Sequence, residues 1–126
     1  MGIEQENVTR SWIACYAAHD KAALLDHYAD DARYHVHAWH EPFEGRDAIR
    51  AELDRQFGLV SDYRSTILNI CSTDSVVFIE GIDQFRHSGR DISVHWSSVQ
   101  EIDRNGKIAV QRDYADSKEL ETQLSA

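Results

Sequence analysis

Residues 106–116 read G-K-I-A-V-Q-R-D-Y-A-D. An Asn-Gly pair, Asn105-Gly106, opens a turn, an alternating run follows, and an aspartate stands where the strand should be ending. Successive side chains of a strand point to opposite faces. Ile108, Val110, Arg112 and Tyr114 should therefore share one face, and Ala109, Gln111 and Asp113 the other. Aspartate is a poor strand former, so Asp113 needs either a structural partner or a chemical task.

Upstream, the same period of two runs through 63–72, 75–86 and 91–102. Short turns separate these runs: Thr73-Asp74, then 87–90 with Gly89, then 103–106. With 107–114 they make a four-stranded antiparallel meander. Before residue 62 the period is 3.6. Val8, Trp12, Ile13, Cys15 and Tyr16 give 4–18 one buried helical stripe. Asp20 is placed to N-cap a short helix to about Tyr28, with Leu24, Leu25 and Tyr28 inward, and Asp30-Asp31 breaks it. Residues 32–39 alternate as a strand, with Tyr34, Val36 and Ala38 on one face and Arg33, His35, His37 and Trp39 on the other. After a loop holding Pro42, a helix from Gly45-Arg46-Asp47 to about Phe57 buries Ile49, Leu53 and Phe57, with Arg50, Glu52, Asp54 and Arg55 solvated. Asp116 and Glu119 have capping-box spacing for a last helix carrying Leu120 and Leu124 inward. The expected fold is α+β: three helices on the concave face of a curved antiparallel sheet, a short C-terminal helix, and a pocket between the layers.

The 126 residues suit a single domain, 1–126, able to bury a core without metal or disulfide staples. A net charge of −9 and a pI near 5.1 argue against nucleic acid or an anionic membrane as partner. No apolar run approaches the ~18 residues of a membrane span, and no export signal is evident. Cys15 and Cys71 lack C-x-x-C spacing and read as reduced, buried thiols, which fits a cytoplasmic protein.

A tight hairpin at 87–90 would set Asp83 opposite Val94 and Gly81 opposite Trp96. One face then carries Gly81, Asp83, Phe85, Val94, Trp96 and Ser98, and Arg86 and His95 fall on the other. Asp83 is thus a lone acid among apolar neighbours, as Asp113 is on its own strand. A buried carboxylate is costly unless it is bonded, paired or protonated. Two such groups facing one dry cavity tend to share a proton, leaving an acid and a base near neutral pH. The competing reading is an inert, hydrogen-bonded aspartate at a strand end. His35, His37 and His40 cluster, and H-x-H spacing can hold a metal. No third ligand clearly shares that face, so no metal is expected and a single histidine proton relay is favoured over one.

The order of elements, with A-D-D-A-R-Y at 29–34, G-R-D-A-I at 45–49, E-G-I-D at 80–83 and R-D-Y-A-D at 112–116, resembles the nuclear transport factor 2-like superfamily. Within it the chain is most similar to the limonene-epoxide-hydrolase-like and SnoaL-like polyketide cyclase branch. The resemblance implies a cone-shaped fold, a homodimer formed through the outer sheet face, and no cofactor. In the hydrolases an aspartate–arginine–aspartate set does the chemistry, helped by a tyrosine and an asparagine. The aspartates match Asp83 and Asp113, and the tyrosine matches Tyr34. The arginine position is Gly81, and the asparagine position is Val36, or His37 if the register slips. In the ketosteroid isomerases, which share the fold, the catalytic tyrosine would fall on Trp12 and the base on Val36, so that mechanism is not supported in its usual form.

The expected function is cofactor-independent acid–base catalysis on a small, hydrophobic, oxygenated molecule by water addition, elimination, isomerisation or C–C cleavage. Asp113 is expected as base, Asp83 as acid and Tyr34 as the orienting group. Trp12, Val36, His37, Gly81, Phe85, Trp96 and Gln111 should line the pocket, with Gly81 enlarging it or admitting a ring. The alternatives are an epoxide hydrolase with an altered triad and a non-catalytic small-ligand-binding or interaction module.

Overall fold

The meander forms where the alternation places it. In the computed structural model, which describes residues 2–37 and 40–125, the long strands are β3 (Ser61–Ser72), β4 (Val76–His87), β5 (Arg90–Ile102) and β6 (Ile108–Ala115). They precede α4 (Ser117–Ser125) and follow α1 (Ile3–Ala17), α2 (Lys21–Leu25), β1 (Tyr28–His35), β2 (Phe43–Glu44) and α3 (Gly45–Leu59). The six strands make one sheet in the order β2-β1-β6-β5-β4-β3. The meander is antiparallel throughout, and β1 joins it in parallel beside β6. The β4–β5 turn is Ser88-Gly89, with φ of 52° and 76°, the positive-φ pair that matches strand twist in a two-residue hairpin. It fixes Asp83 opposite Val94 and Gly81 opposite Trp96.

The core lies between the sheet and the helices. Trp12 and Ile13 of α1, Leu24 and Leu25 of α2, and Ile49 and Leu53 of α3 pack on Tyr28, Ala32, Tyr34, Val77, Ile102 and Ile108. Each large side chain buried there contributes about 1.5–3 kcal/mol. Gly45 opens α3 at φ 83°, a left-handed conformation that costs glycine little. The next residue, Arg46, donates twice to the Tyr28 carbonyl at 3.0 and 2.7 Å, tying α3 to the start of β1.

Neither thiol is buried as expected, Cys71 being exposed and Cys15 partly buried, and four further local expectations need correction. The second helix stops at Leu25, and Tyr28 opens β1 rather than closing α2; Asp30-Asp31 lie within that strand. β1 ends at His35, so Val36 and His37 sit in a bend, and Ala38 and Trp39 lie outside the described residues. The β5–β6 register steps from Glu101↔Val110 to Ile102↔Ile108, a bulge at Ala109. An extra residue reverses strand parity, so Ile108 is fully buried on the core side with Gln111. Finally, Glu52 of α3 is buried rather than solvated, held by Arg55 and Gln56.

Helix α4 docks where β6 runs out. Pairing of β5 with β6 begins at Trp96↔Ala115, so residues before Trp96 have a free edge. Glu119 accepts from the His95 amide at 2.5 Å and contacts its ring at 2.9 Å. The Gln123 side chain accepts from the Ser93 amide at 2.8 Å and donates to its carbonyl at 2.7 Å. The capping box is therefore only half made: Asp116 accepts from the Lys118 amide at 2.9 Å, while Glu119 is spent on β5.

Candidate functional site

Asp113 projects from β6 toward the helices, and three donors converge on it. Ser98, directly opposite on β5, and Gln111, two residues earlier on the same face, donate to Oδ1 at 2.9 and 3.0 Å. Tyr34 of β1 donates to Oδ2 at 2.8 Å. These donors are themselves held. Gln111 accepts from Tyr28 at 2.7 Å, and Tyr28 accepts from the Trp12 indole at 3.0 Å. Gln56 of α3 donates to Tyr34 at 3.3 Å and to Glu52 at 2.7 Å, and accepts from Tyr16 at 2.6 Å. Glu52 thus orients the Gln56 amide with its NH2 toward Tyr34 and its oxygen toward Tyr16, and Tyr34 is left to donate to Asp113.

Asp83, on β4, accepts from Ser65 of β3 at 2.8 Å and from the Trp96 indole of β5 at 2.7 Å, with Tyr63 a further donor. Trp96 lies across Gly81. A Cβ at residue 81 would stand 2.7 Å from the Trp96 ring and 2.9 Å from the Thr66 carbonyl, closer than atoms can pack. Only glycine lets the indole reach Asp83, so the ring that Gly81 admits is the protein's own.

Both carboxylates open on one cavity of about 260 Å³ between the sheet, α1, α3 and α4, with mostly apolar and aromatic walls. That is small even for a small-molecule site. A larger, more open groove of about 680 Å³ shares Tyr63 and Phe85 with it, but is walled by Asp62, Arg64, Arg86 and Asp91 and reaches neither Asp83 nor Asp113. Burial pushes Asp113 up to about 6, against the bonds from Gln111, Tyr34 and Ser98, and the field of Asp83 adds to the rise. Burial also raises Asp83, opposed by Tyr63, Ser65 and Trp96. Among the described residues neither carboxylate has an ion-pair partner. Burial, together with the carboxylate fields, raises Tyr16, Tyr34 and Tyr63 well above the ordinary phenol value, so all three remain protonated donors. Glu52 differs: burial would raise it, but the bonds from Arg55 and Gln56 outweigh that and hold it below the usual range.

A family model, the SnoaL-like domain, matches residues 9–111. The chain belongs to the SnoaL-like family. Solved structures agree at the level of fold. A Shewanella denitrificans protein assigned as a SnoaL-like polyketide cyclase superposes with a TM-score of 0.87 at 21% identity, covering 96% of each chain. An epoxide hydrolase of Mycobacterium tuberculosis, limonene-epoxide-hydrolase-like, gives 0.82 at 22% identity, covering 98% of this chain and 93% of that one. A Catenulispora acidiphila protein with the ketosteroid isomerase-like fold, in complex with trimethylamine, gives 0.82 at 21% identity over 92% and 90%.

In this SnoaL-like domain Asp83, Asp113, Tyr34, Trp12, Val36, His37, Phe85 and Trp96 all line the cavity. Val36 and His37 both do so because the strand ends before them. Gln111 is fully buried behind Asp113 and does not reach the cavity. Gly81 is covered by Trp96 and does not enlarge it. His35 turns away and bonds the His40 carbonyl at 2.9 Å. Among the described residues no three His, Cys, Asp or Glu side chains gather as a metal set. Sequence reasoning missed Tyr63, Ser65, Gln56 and the role of Ser98. Ser65 was reachable through the β3–β4 pairing, which sets it opposite Asp83. Gln56 was reachable too, since Glu52 and Gln56 flank the Ile49–Leu53 stripe at helical spacing.

Proposed function

We propose that the chain is a cofactor-independent acid–base enzyme acting on a small, hydrophobic, oxygenated molecule. The observation carrying this reading is the pair of partly buried carboxylates on one small apolar cavity, both raised by desolvation and neither ion-paired among the described residues. A base is most useful when its pKa lies near the working pH, and Asp113 at about 6 is ionised yet basic at neutral pH. Asp113 takes the proton and Tyr34 orients water or a substrate oxygen. A ligand that expels water from the cavity raises both carboxylates further, so the closed pair takes up one proton from solvent, shared between its two members. With Asp113 acting as base, that proton is delivered from Asp83. Water addition, elimination, isomerisation and C–C cleavage all need only this pair.

The test is turnover of a panel of terpenoid epoxides, polyketide aromatics and cyclic ketones across pH 5–8. The expected kcat/KM rises through about pH 6 as Asp113 ionises. Asp113→Asn and Asp83→Asn each lose about 10²–10⁴-fold. Turnover that survives both changes would exclude the mechanism, whereas ligand binding without any turnover would make the domain a small-molecule carrier.

Epoxide hydrolysis is a second reading, favoured by the Tyr34–Asp113 bond. The indole of Trp96 occupies the ground an arginine at residue 81 would need, supplying Asp83 with a donor but no charge. An epoxide in this site would be opened by a proton from Asp83 rather than under a fixed cation. The single domain over 1–126, a homodimer through the outer sheet face and a cytoplasmic setting, which suits Cys15 and Cys71 as free thiols, complete the proposal.

A further inference from the structure

Proton shuttling explains two carboxylates in the cavity but not what surrounds them. Phenol, phenyl and indole rings enter from six elements: Trp12 and Tyr16 on α1, Tyr34 on β1, Tyr63 on β3, Phe85 on β4, Trp96 on β5 and Tyr114 on β6. Trp12 and Trp96 meet edge to face at 6.3 Å, Tyr16 and Tyr63 lie 5.0 Å apart, and Tyr63 stacks with Phe85 at 6.3 Å. Aromatic faces carry negative potential, so rings and carboxylates bias the interior in the same direction. The guanidinium of Arg55, which also borders the cavity, donates to both carboxylate oxygens of Glu52 at 2.7 and 2.8 Å and is neutralised by that pairing. The other titratable groups facing the carboxylates are Tyr16 of α1, Tyr34 of β1, His37 after it, Tyr63 of β3 and Tyr114 of β6.

A neutral occupant leaves two partly buried negative charges on one cavity wall. A proton relieves one of them. A cation relieves both and gains attraction from the ring faces. The carboxylate and phenol oxygens of the walls are already engaged in hydrogen bonds and the rest of the lining is aromatic or apolar, which suits a cation clothed in methyl or methylene groups better than a hydrated metal ion. We infer that the cavity binds a small organic ammonium ion, a tertiary or quaternary amine with apolar substituents, between Asp83 and Asp113 and against the rings. The inference rests on the reading of these two carboxylates as the working pair of the cavity. Proton and ammonium are then rival occupants, and acidification through about pH 6 displaces the ammonium from Asp113.

The probes are choline and the uncharged alcohol in which a tert-butyl group replaces the trimethylammonium, matched in shape and differing in charge. Titrations at constant ionic strength would follow the indole N–H signals of Trp12 and Trp96, which report on the cavity rather than on the acidic surface. At pH 7.5 choline is expected to bind at least about tenfold more tightly than the alcohol. That preference should shrink at pH 5 and fall about tenfold in Asp83→Asn or Asp113→Asn. If one variant does not fold, the other and the wild-type pH series carry the test. Equal affinity for the two probes, binding of neither, or a preference unchanged between pH 5 and 7.5 would overturn the inference. None of these outcomes touches the acid–base reading, which stands or falls on turnover of neutral substrates.

Discussion

A carboxyl group whose pKa is about 6 in the folded chain, against an ordinary 3.8, ties folding stability to pH in a definite direction. Between those values the folded state binds more protons than the unfolded state. The stability associated with protonated Asp113 is therefore full below about pH 4, is lost as pH rises through about 6, and is level above. At 1.36 kcal/mol per unit the cost at neutral pH is at most roughly 3 kcal/mol, and the side chain's partial exposure to the cavity reduces it. Asp113→Asn, neutral at every pH, should match the wild type near pH 4 and exceed it by about 1–3 kcal/mol at pH 7.5. Urea unfolding at the two pH values checks this, and a deficit of equal size at both would show that hydrogen-bond geometry, not charge, dominates. At this scale Asp83 and Asp113 were legible because acids among apolar neighbours violate the strand pattern, whereas Tyr34, an ordinary strand residue, was marked only by the family resemblance. Ser65, Ser98 and Gln56 were not singled out as partners, because small polar residues violate nothing.

Whole elements were easier to read than their irregularities. The four strands of the meander and the 88–89 hairpin followed from alternation and turn residues alone. The bulge at Ala109 did not, because the apolar rhythm of I-A-V-Q continues across it unchanged. Only the pairing with Ile102 and Glu101 shows the extra residue. Glu52 borders the Ile49–Leu53 stripe, and only the bonds from Arg55 and Gln56, which a charge pattern does not reveal, let it turn inward. Helix α4 shows an element held by polar contacts, since it has no fully buried residue. Its Glu119 and Gln123 substitute for the strand that β5 lacks beyond Trp96. Gln123→Ala should leave global unfolding within about 0.5–1.5 kcal/mol of wild type while exposing the Ser93 amide to solvent. Hydrogen exchange at Ser93 and His95 measures this: faster exchange at Ser93 is expected, and unchanged protection there would mean that α4 is anchored otherwise.

For the molecule as a whole, the convex face of the sheet carries the consequence of pairing Cys71↔Phe78↔Val99 across β3, β4 and β5. Phe78 is 45% exposed between buried Val77 and Ile79, so an apolar strip faces outward on a chain of net charge −9. A second copy laid on this strip would cover it, and sedimentation equilibrium should show a dimer that Phe78→Asp converts to monomer with the fold intact by circular dichroism. A wild type that sediments as a monomer would remove the proposal. The contact between Gly81 and Trp96 reaches furthest in another direction. A side chain at 81 and an indole at 96 exclude one another, so the two positions behave as one heritable character. A larger residue at 81 must displace the indole from its present place, and with it the donor to Asp83. Changes at 81 and 96 are therefore strongly non-additive, and neither position can be optimised without the other.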